Sequence, residues 1–300
     1  AAAITSFLPG CADAPNATMT MPDAPNPMMG QVELWEQLGI LTPNEPGEWG
    51  TKIAGHFPIV YRKPGGVMVS VAHPMDPEHY IEGIYLKDGS GRVLGVQELT
   101  SDQMPSAFFE FSSVPADVEA FAVCNLHQVW SASLVRTPEA PGPWADKIAG
   151  HTPRIAIEDN EVTVQVLHPM TDAHAILAIY LSDQNDVVFA KTQLARTDEA
   201  KFQAELPSGV TEVRAWALCD DHDLWVNSPI DTETASMIAG WEAAGVLTAD
   251  QPGEWGAKIA GHYPIANILD NRVVVHTPHA MTPEHYIEAI YLKDADGFLV

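Results

Sequence analysis

Downstream of each of three Lys-Ile-Ala-Gly-His segments, apolar and polar residues alternate with a period of two, the mark of half-buried strands. Val67-Met68-Val69-Ser70-Val71 and Val162-Thr163-Val164-Gln165-Val166 read as strands by branching and alternation. Tyr80–Leu86, the turn Asp88-Gly89-Ser90-Gly91 and Arg92–Leu99 predict a hairpin, whose turn recurs around Ser182–Asp186 and Asp294–Gly297. Phe108–Phe111 and Val118–Val123 follow, matched later by Lys201–Leu206 and Glu212–Leu218. Roughly seven short strands in about 100 residues predict a β-sandwich. The fold class is therefore all-β, with sandwich domains in tandem.

The three segments are Lys52–His56, Lys147–His151 and Lys258–His262, each with a tryptophan seven residues before its histidine: Trp49, Trp144 and Trp255. The first and third copies share a header. Trp35-Glu36, Gly39-Ile40-Leu41-Thr42 and Pro46-Gly47-Glu48-Trp49 recur 206 residues later as Trp241-Glu242, Gly245-Val246-Leu247-Thr248 and Pro252-Gly253-Glu254-Trp255. This header predicts a short amphipathic helix stopped by glycine, then a turn. The middle copy has the Pro-rich linker Thr137–Pro143 instead. The expected divisions are a tether over 1–28 and domains over 29–136, 137–231 and 232–300. The third domain stops inside its hairpin, so it is expected to be incomplete, with the natural chain running on.

Composition narrows the function. Of 300 residues, 46% are hydrophobic and 18% charged, which excludes wholesale disorder. Fifteen Lys+Arg against 40 Asp+Glu give a net charge of −25, which repels phosphate backbones and excludes nucleic acid as a general partner. No run reaches the ~18 apolar residues of a membrane-spanning helix. Ala1–Leu8 resembles the end of an export signal, and Leu8-Pro9-Gly10-Cys11 an imperfect lipidation motif; a disordered start with a stray thiol is the alternative. A periplasmic or extracytoplasmic protein is expected, meeting a membrane only through a lipid on Cys11 or through a membrane redox complex.

The twelve histidines carry the chemistry. His56, His73, His79, Cys124 and His127 are separated by 17, 6, 45 and 3 residues. His151, His168, His174, Cys219 and His222 repeat the same gaps, and His262, His279 and His285 repeat the first two. The same spacing would put a third cysteine and histidine about 45 and 48 residues beyond His285, past Val300. Repeated core histidines are the plain alternative, but neighbours such as Tyr80 and Ala175 diverge while these residues keep register. Cys-x-x-His sets a thiolate and an imidazole on one turn. Four imidazoles and a thiolate are one donor too many for a closed structural zinc site, and they leave one octahedral position open. Such a set suits a redox iron that handles a small molecule.

At His56-Phe57-Pro58, at His73-Pro74-Met75-Asp76-Pro77-Glu78-His79-Tyr80-Ile81 and at Cys124-Asn125-Leu126-His127, the chain resembles the superoxide reductase family, the iron domain of neelaredoxin and desulfoferrodoxin. The likeness covers about residues 50–134, 145–228 and 256–300. It implies immunoglobulin-like sandwiches, each complete one with a mononuclear non-haem iron. It also implies reduction of superoxide to hydrogen peroxide with one external electron and two protons. His56, His73, His79 and His127 would lie in the iron's plane with Cys124 axial. His151, His168, His174 and His222 with Cys219 would repeat this, and His262, His279 and His285 would begin a third site. An external electron donor is implied, a basic cytochrome or a rubredoxin-like protein. The chain departs from the family at the Glu-Lys pair that usually precedes the first histidine: Ala54-Gly55, Ala149-Gly150 and Ala260-Gly261 stand there. Lys52 and Lys147 are the candidate replacements for the catalytic lysine, with a plain surface role as the alternative. A non-catalytic iron-binding or electron-transfer subunit of a membrane redox assembly is the competing function.

Overall fold

The structure is a computed structural model that describes residues 29–158, 160–269 and 272–299. The tether and Cys11 lie outside the described residues.

The first module contains the helices α1 (Met29–Glu36) and α2 (Ile53–His56). Its strands are β1 (Ile40–Leu41), β2 (Pro58–Lys63), β3 (Gly66–Val71), β4 (Ile81–Lys87), β5 (Val93–Glu98), β6 (Ser106–Glu110), β7 (Glu119–Cys124) and β8 (Gln128–Ser133). One sheet runs β1-β8-β7-β4-β5 and the other β2-β3-β6, and all pairs are antiparallel except β1–β8. Val60, Val67 and Val69 of the small sheet and Ile84, Leu86, Ala122 and Trp130 of the large sheet share one core, each fully buried. The alternation in the sequence supplies this inner face.

The second module has α3 (Ile148–His151), β9 (Arg154–Glu158), β10 (Glu161–Gln165), β11 (Ile176–Ser182), β12 (Val188–Gln193), β13 (Lys201–Glu205), β14 (Glu212–Cys219), β15 (Leu224–Val226) and β16 (Ile230–Asp231). Its small sheet is β13-β10-β9 and its large sheet β12-β11-β14-β15, with β16 also on β14. The third unit consists of α4 (Thr232–Ala243), α5 (Ile259–His262) and the hairpin β17 (Ile265–Leu269) with β18 (Arg272–His276). Its predicted second hairpin is reduced to a turn at Asp294 closed by a Lys293–Leu299 bridge. Among the described residues no strand pairs with 287–292. The Lys-Ile-Ala-Gly-His segments, which carried no helix signal by periodicity, form single helical turns in all three copies.

The headers explain why one copy lacks them. In the first module Trp35 stacks on Tyr85 at 6.0 Å and Tyr85 on Phe121 at 4.6 Å, so α1 covers the outer face of the large sheet. Glu36 accepts a hydrogen bond from Tyr85 Oη (3.0 Å) and pairs with Lys87. In the third unit Trp241 stacks on Tyr291, and Glu242 pairs with Lys293 at 2.6 Å. The matching face of the second module, Tyr180, Trp216, Leu218 and Leu224, is buried in the first module's core instead. Tyr61 of β2 packs on Trp216 at 5.3 Å. Buried Asp186 joins Lys63 (2.5 Å) of one module to Arg214 (2.6 Å) of the other. Where a neighbouring module covers the sheet, no header is needed.

Gly83 sits beneath the first header. A Cβ there would lie 2.3 Å from the Trp35 ring, whereas the second module carries Ala178 at the same place. Gly83→Ala is therefore expected to lift α1 and to cost about 1–3 kcal/mol by overpacking. A urea titration followed by tryptophan fluorescence should show the lower midpoint. An unchanged midpoint would mean that α1 contributes nothing at that face.

Candidate metal centres

Strand register gathers the residues. Pro58 pairs with Val71, so His56, two residues before β2, meets His73, two residues after β3. Ile81 pairs with Cys124, which brings the His79 loop to the end of β7, and the tight β7–β8 turn returns His127 to the same point. The small sheet thus contributes two ligands and the large sheet three, at one end of the module. The second module repeats this through Arg154–Gln165 and Ile176–Cys219 pairing.

The inward nitrogens of the first site form a closed square. His56 Nε2 to His73 Nε2 is 3.1 Å, His73 Nε2 to His79 Nε2 3.0 Å, His79 Nε2 to His127 Nδ1 3.0 Å and His127 Nδ1 to His56 Nε2 2.9 Å. Cys124 Sγ lies 3.4 Å from His127 Nδ1 and 3.8 Å from His73 Nε2. In the second site His222 Nδ1 is 3.0 Å from His151 Nε2 and 2.9 Å from His174 Nε2, which is 3.1 Å from His168 Nε2. Cys219 Sγ is 3.1 Å from His174 Nε2. His262, His279 and His285 also converge, at 3.3–3.4 Å, but are largely exposed.

These contacts fit a metal and not a hydrogen-bond network. His56 Nδ1 donates to the Lys52 carbonyl (3.0 Å), and His73 Nδ1 to that of Pro74, which leaves each Nε2 with only a lone pair. Two acceptors facing each other at 3.1 Å repel unless a cation lies between them. The centre of a square with such edges is about 2.1 Å from each corner, the length of an imidazole–metal bond. The helical turn of α2 has its use here: it places the Lys52 carbonyl four residues before His56 and fixes the tautomer. Lys147 and Lys258 do the same for His151 and His262 at 3.0 Å.

Several supporting residues gave no functional signal in the sequence. Met75, Met170 and Met281 each accept the backbone N–H six residues on, Ile81, Ile176 and Ile287, at 3.3–3.4 Å, and so close the loop between two histidines. The recurrence of Met two residues after a ligand histidine was the available clue. Asn125 and Asp220 accept from the N–H of Tyr80 and Ala175. Trp130 Nε1 donates to the His127 carbonyl (3.0 Å), and Trp49 packs edge-on against the His127 ring at 4.6 Å. Trp225 and Trp144 repeat both contacts at His222, which gives the recurring tryptophans their place.

Lys52 is exposed and Lys147 half-buried. Burial and the neighbouring rings lower His127 and His222, and the Lys52 and Lys147 charges add to this, although Lys147 Nζ is also paired with Asp146 at 3.0 Å. Leu126 N–H points at Cys124 Sγ (3.5 Å), yet burial raises the Cys124 thiol and pushes that of Cys219 up to about 12, so a cation is needed to hold the thiolate.

Burial, with the mutual repulsion of the rings, lowers His56 to about 3 and His73, His151 and His168 to about 4. In chelator-stripped protein these rings stay neutral in the fold while the unfolded chain binds protons near its ordinary value of about 6.5. Stability is therefore full above about pH 6.5 and falls as the pH drops toward 4. The urea midpoint of the stripped protein should be lower at pH 5 than at pH 7.5; equal midpoints would show that the rings are not buried as neutral groups.

Comparison with known proteins covers the same two modules. The chain matches the Desulfoferrodoxin family model twice, over 51–133 and 144–228, together more than half its length. A desulfoferrodoxin of Clostridium acetobutylicum is 39% identical over 82 residues, 26% of this chain and 62% of the relative. A desulfoferrodoxin homolog of Archaeoglobus fulgidus is 40% identical over 80 residues, 26% of this chain and 61% of the relative. The chain thus spans about three fifths of the length of these curated relatives. Among solved structures, superoxide reductase of Treponema pallidum is 38% identical, with 28% of this chain and 67% of that one covered and a TM-score of 0.25. Neelaredoxin of Ignicoccus hospitalis is 28% identical, with 33% and 94% covered and a TM-score of 0.27. Superoxide reductase-like proteins hold non-haem iron, and the two groups of four histidines and a cysteine stand one per module. With two family matches in tandem, each containing its own four histidines and cysteine, the chain belongs to the desulfoferrodoxin family.

Proposed function

We propose that the protein is a superoxide reductase with one catalytic iron in each of its first two modules. The observation that supports this most is the square of four lone-pair nitrogens with a single sulfur beside it. The reaction joins one superoxide, one electron and two protons into one hydrogen peroxide, so a one-electron donor is its only other requirement. Iron held by such a set would supply the one-electron chemistry, with the donor as the source of the electron.

The chain's own residues hold and tune the site. The Lys52 and Lys147 carbonyls keep the Nε2 atoms of His56 and His151 free of protons. The Leu126 N–H directed at Cys124 Sγ tempers its charge. Trp49 and Trp144 shield the rings of His127 and His222 from water on one side. Lys52, exposed and close to His127, is a candidate for drawing in the anion.

An extracytoplasmic site of action and a basic electron-donor protein complete the reading, because a chain of charge −25 favours basic partners. The alternative reading, electron relay without substrate, is favoured at the second site by its acidic surroundings: Asp220 and Asp221 both act on Cys219. Pulse radiolysis of the iron-loaded protein tests the reading. Rapid superoxide loss with one peroxide per superoxide is expected. Peroxide at half that yield, the mark of spontaneous dismutation, would leave a relay protein.

A further inference from the structure

The strand that the second module lays against the first does more than cover a core. Gln193 brackets the helix that carries His56: its Nε2 donates to the Gly50 carbonyl (2.6 Å), and its Oε1 accepts from Ala54 N–H (3.2 Å). Two residues earlier on the same strand, Lys191 Nζ donates to the carbonyl oxygen of Ala72. The same ammonium lies 3.4 Å from where a Cβ on Gly55 would be, and among the described residues no other heavy atom outside the adjoining residues and the helix backbone comes within 4 Å of that point. Gly55 and Ala72 are the residues immediately before two ligands, His56 and His73. A positive charge from one module therefore rests beside the metal site of the other.

The second site has no counterpart among the described residues. The first module has Val96 at the position of Lys191. A Cβ on Gly150 would meet only the Leu167 carbonyl, at 3.5 Å. The nearby cations are already paired, Lys147 with Asp146 (3.0 Å) and Arg196 with Asp220 (2.6 Å), while Asp221 adds a further negative charge. At the first site Lys52 makes no ion pair among the described residues, and Glu82 is the carboxylate felt by Cys124. The two sites have the same ligand types but sit in different local fields.

We infer that Lys191 of the second module is a positioning residue for the first module's metal centre, where it raises the local affinity for a small anion, and that the two centres are in consequence unequal. This rests on the superoxide reading only for the identity of the anion. On a chain of net charge −25, an anion is repelled except where cations gather, and the Lys191 charge, held on the carbonyl one residue before His73, acts on that ligand. Gly55 leaves the place open for it. The clamp by Gln193 keeps module two, and so Lys191, in register with the ligands.

Azide titration of the full iron-loaded chain, followed in the visible spectrum, tests this. The wild type should show two binding phases. Lys191→Met should weaken the tighter phase about tenfold and flatten its dependence on salt, leaving the weaker phase unchanged. Lys191→Arg, and Lys191→Met combined with Gly55→Lys, which returns the charge from the neighbouring backbone position, should restore the tighter phase. An unchanged tight phase in Lys191→Met, or equal weakening of both phases, would overturn the assignment. Peroxide yield from superoxide is scored separately on the wild type, so a failure of the reaction reading stays distinct from a failure of Lys191.

Discussion

Replacing Cys124 with serine is expected to remove half of the thiolate-to-iron absorbance of the iron-loaded protein, and replacing Cys219 as well is expected to remove the rest. Each thiol is 1–2% exposed and is raised by burial, so the sulfur becomes an anion only opposite a cation. A serine hydroxyl, far less acidic, stays protonated there. Four neutral imidazoles would then face the ion without a compensating charge in a buried site, and iron affinity at the altered centre should fall at least about a hundredfold. Iron retained per chain after dialysis against a chelator measures this: near one for either single variant and near zero for the double. Full retention with an unaltered spectrum would place the sulfurs outside the coordination sphere.

Trp216→Ala should produce the second large effect, and it falls on the union of the modules. Trp216 is 2% exposed, packs on Tyr61 from the first module and donates to Ser182 Oγ at 2.8 Å. Truncating a buried tryptophan costs about 3–5 kcal/mol. Here the cavity would open between the modules, beside the Lys63–Asp186–Arg214 bridge. The expected result in calorimetry is the division of one transition into two, because each module keeps its own sheet pair and its own ligands. A single transition at an unchanged temperature would mean that the modules do not depend on this contact.

The ligand sets were legible in the sequence because one spacing recurs whole in two copies and begins in a third, and a β register once fixed carries distant residues to one place. His56 and His73 meet because Pro58 pairs with Val71; the gap of 17 residues is the length of that hairpin and its flanks. The strands were legible for the same reason, as alternation such as Val67 to Val71 specifies both the strand and its inner face. The helical turns at Ile53–His56 and its repeats were not legible. Four residues are too few to display a helical period, and the turn is held by docking and by the Lys52 carbonyl contact to His56. The roles of Met75 and Trp130 were also hidden, since a thioether that accepts an N–H and an indole that donates to a carbonyl follow from the fold and not from local pattern. The missing middle header was visible as an absence at Thr137–Pro143. Its cause, the first module seated on Tyr180 and Trp216, is a long-range contact that no periodicity announces.

Iron K-edge absorption on the full chain, with iron counted per polypeptide, tests the account most directly. Two tightly held irons per chain are expected, each with four nitrogen neighbours at about 2.1 Å and one sulfur at about 2.3 Å. An absent sulfur shell, or a single iron shared by the whole chain, would contradict it.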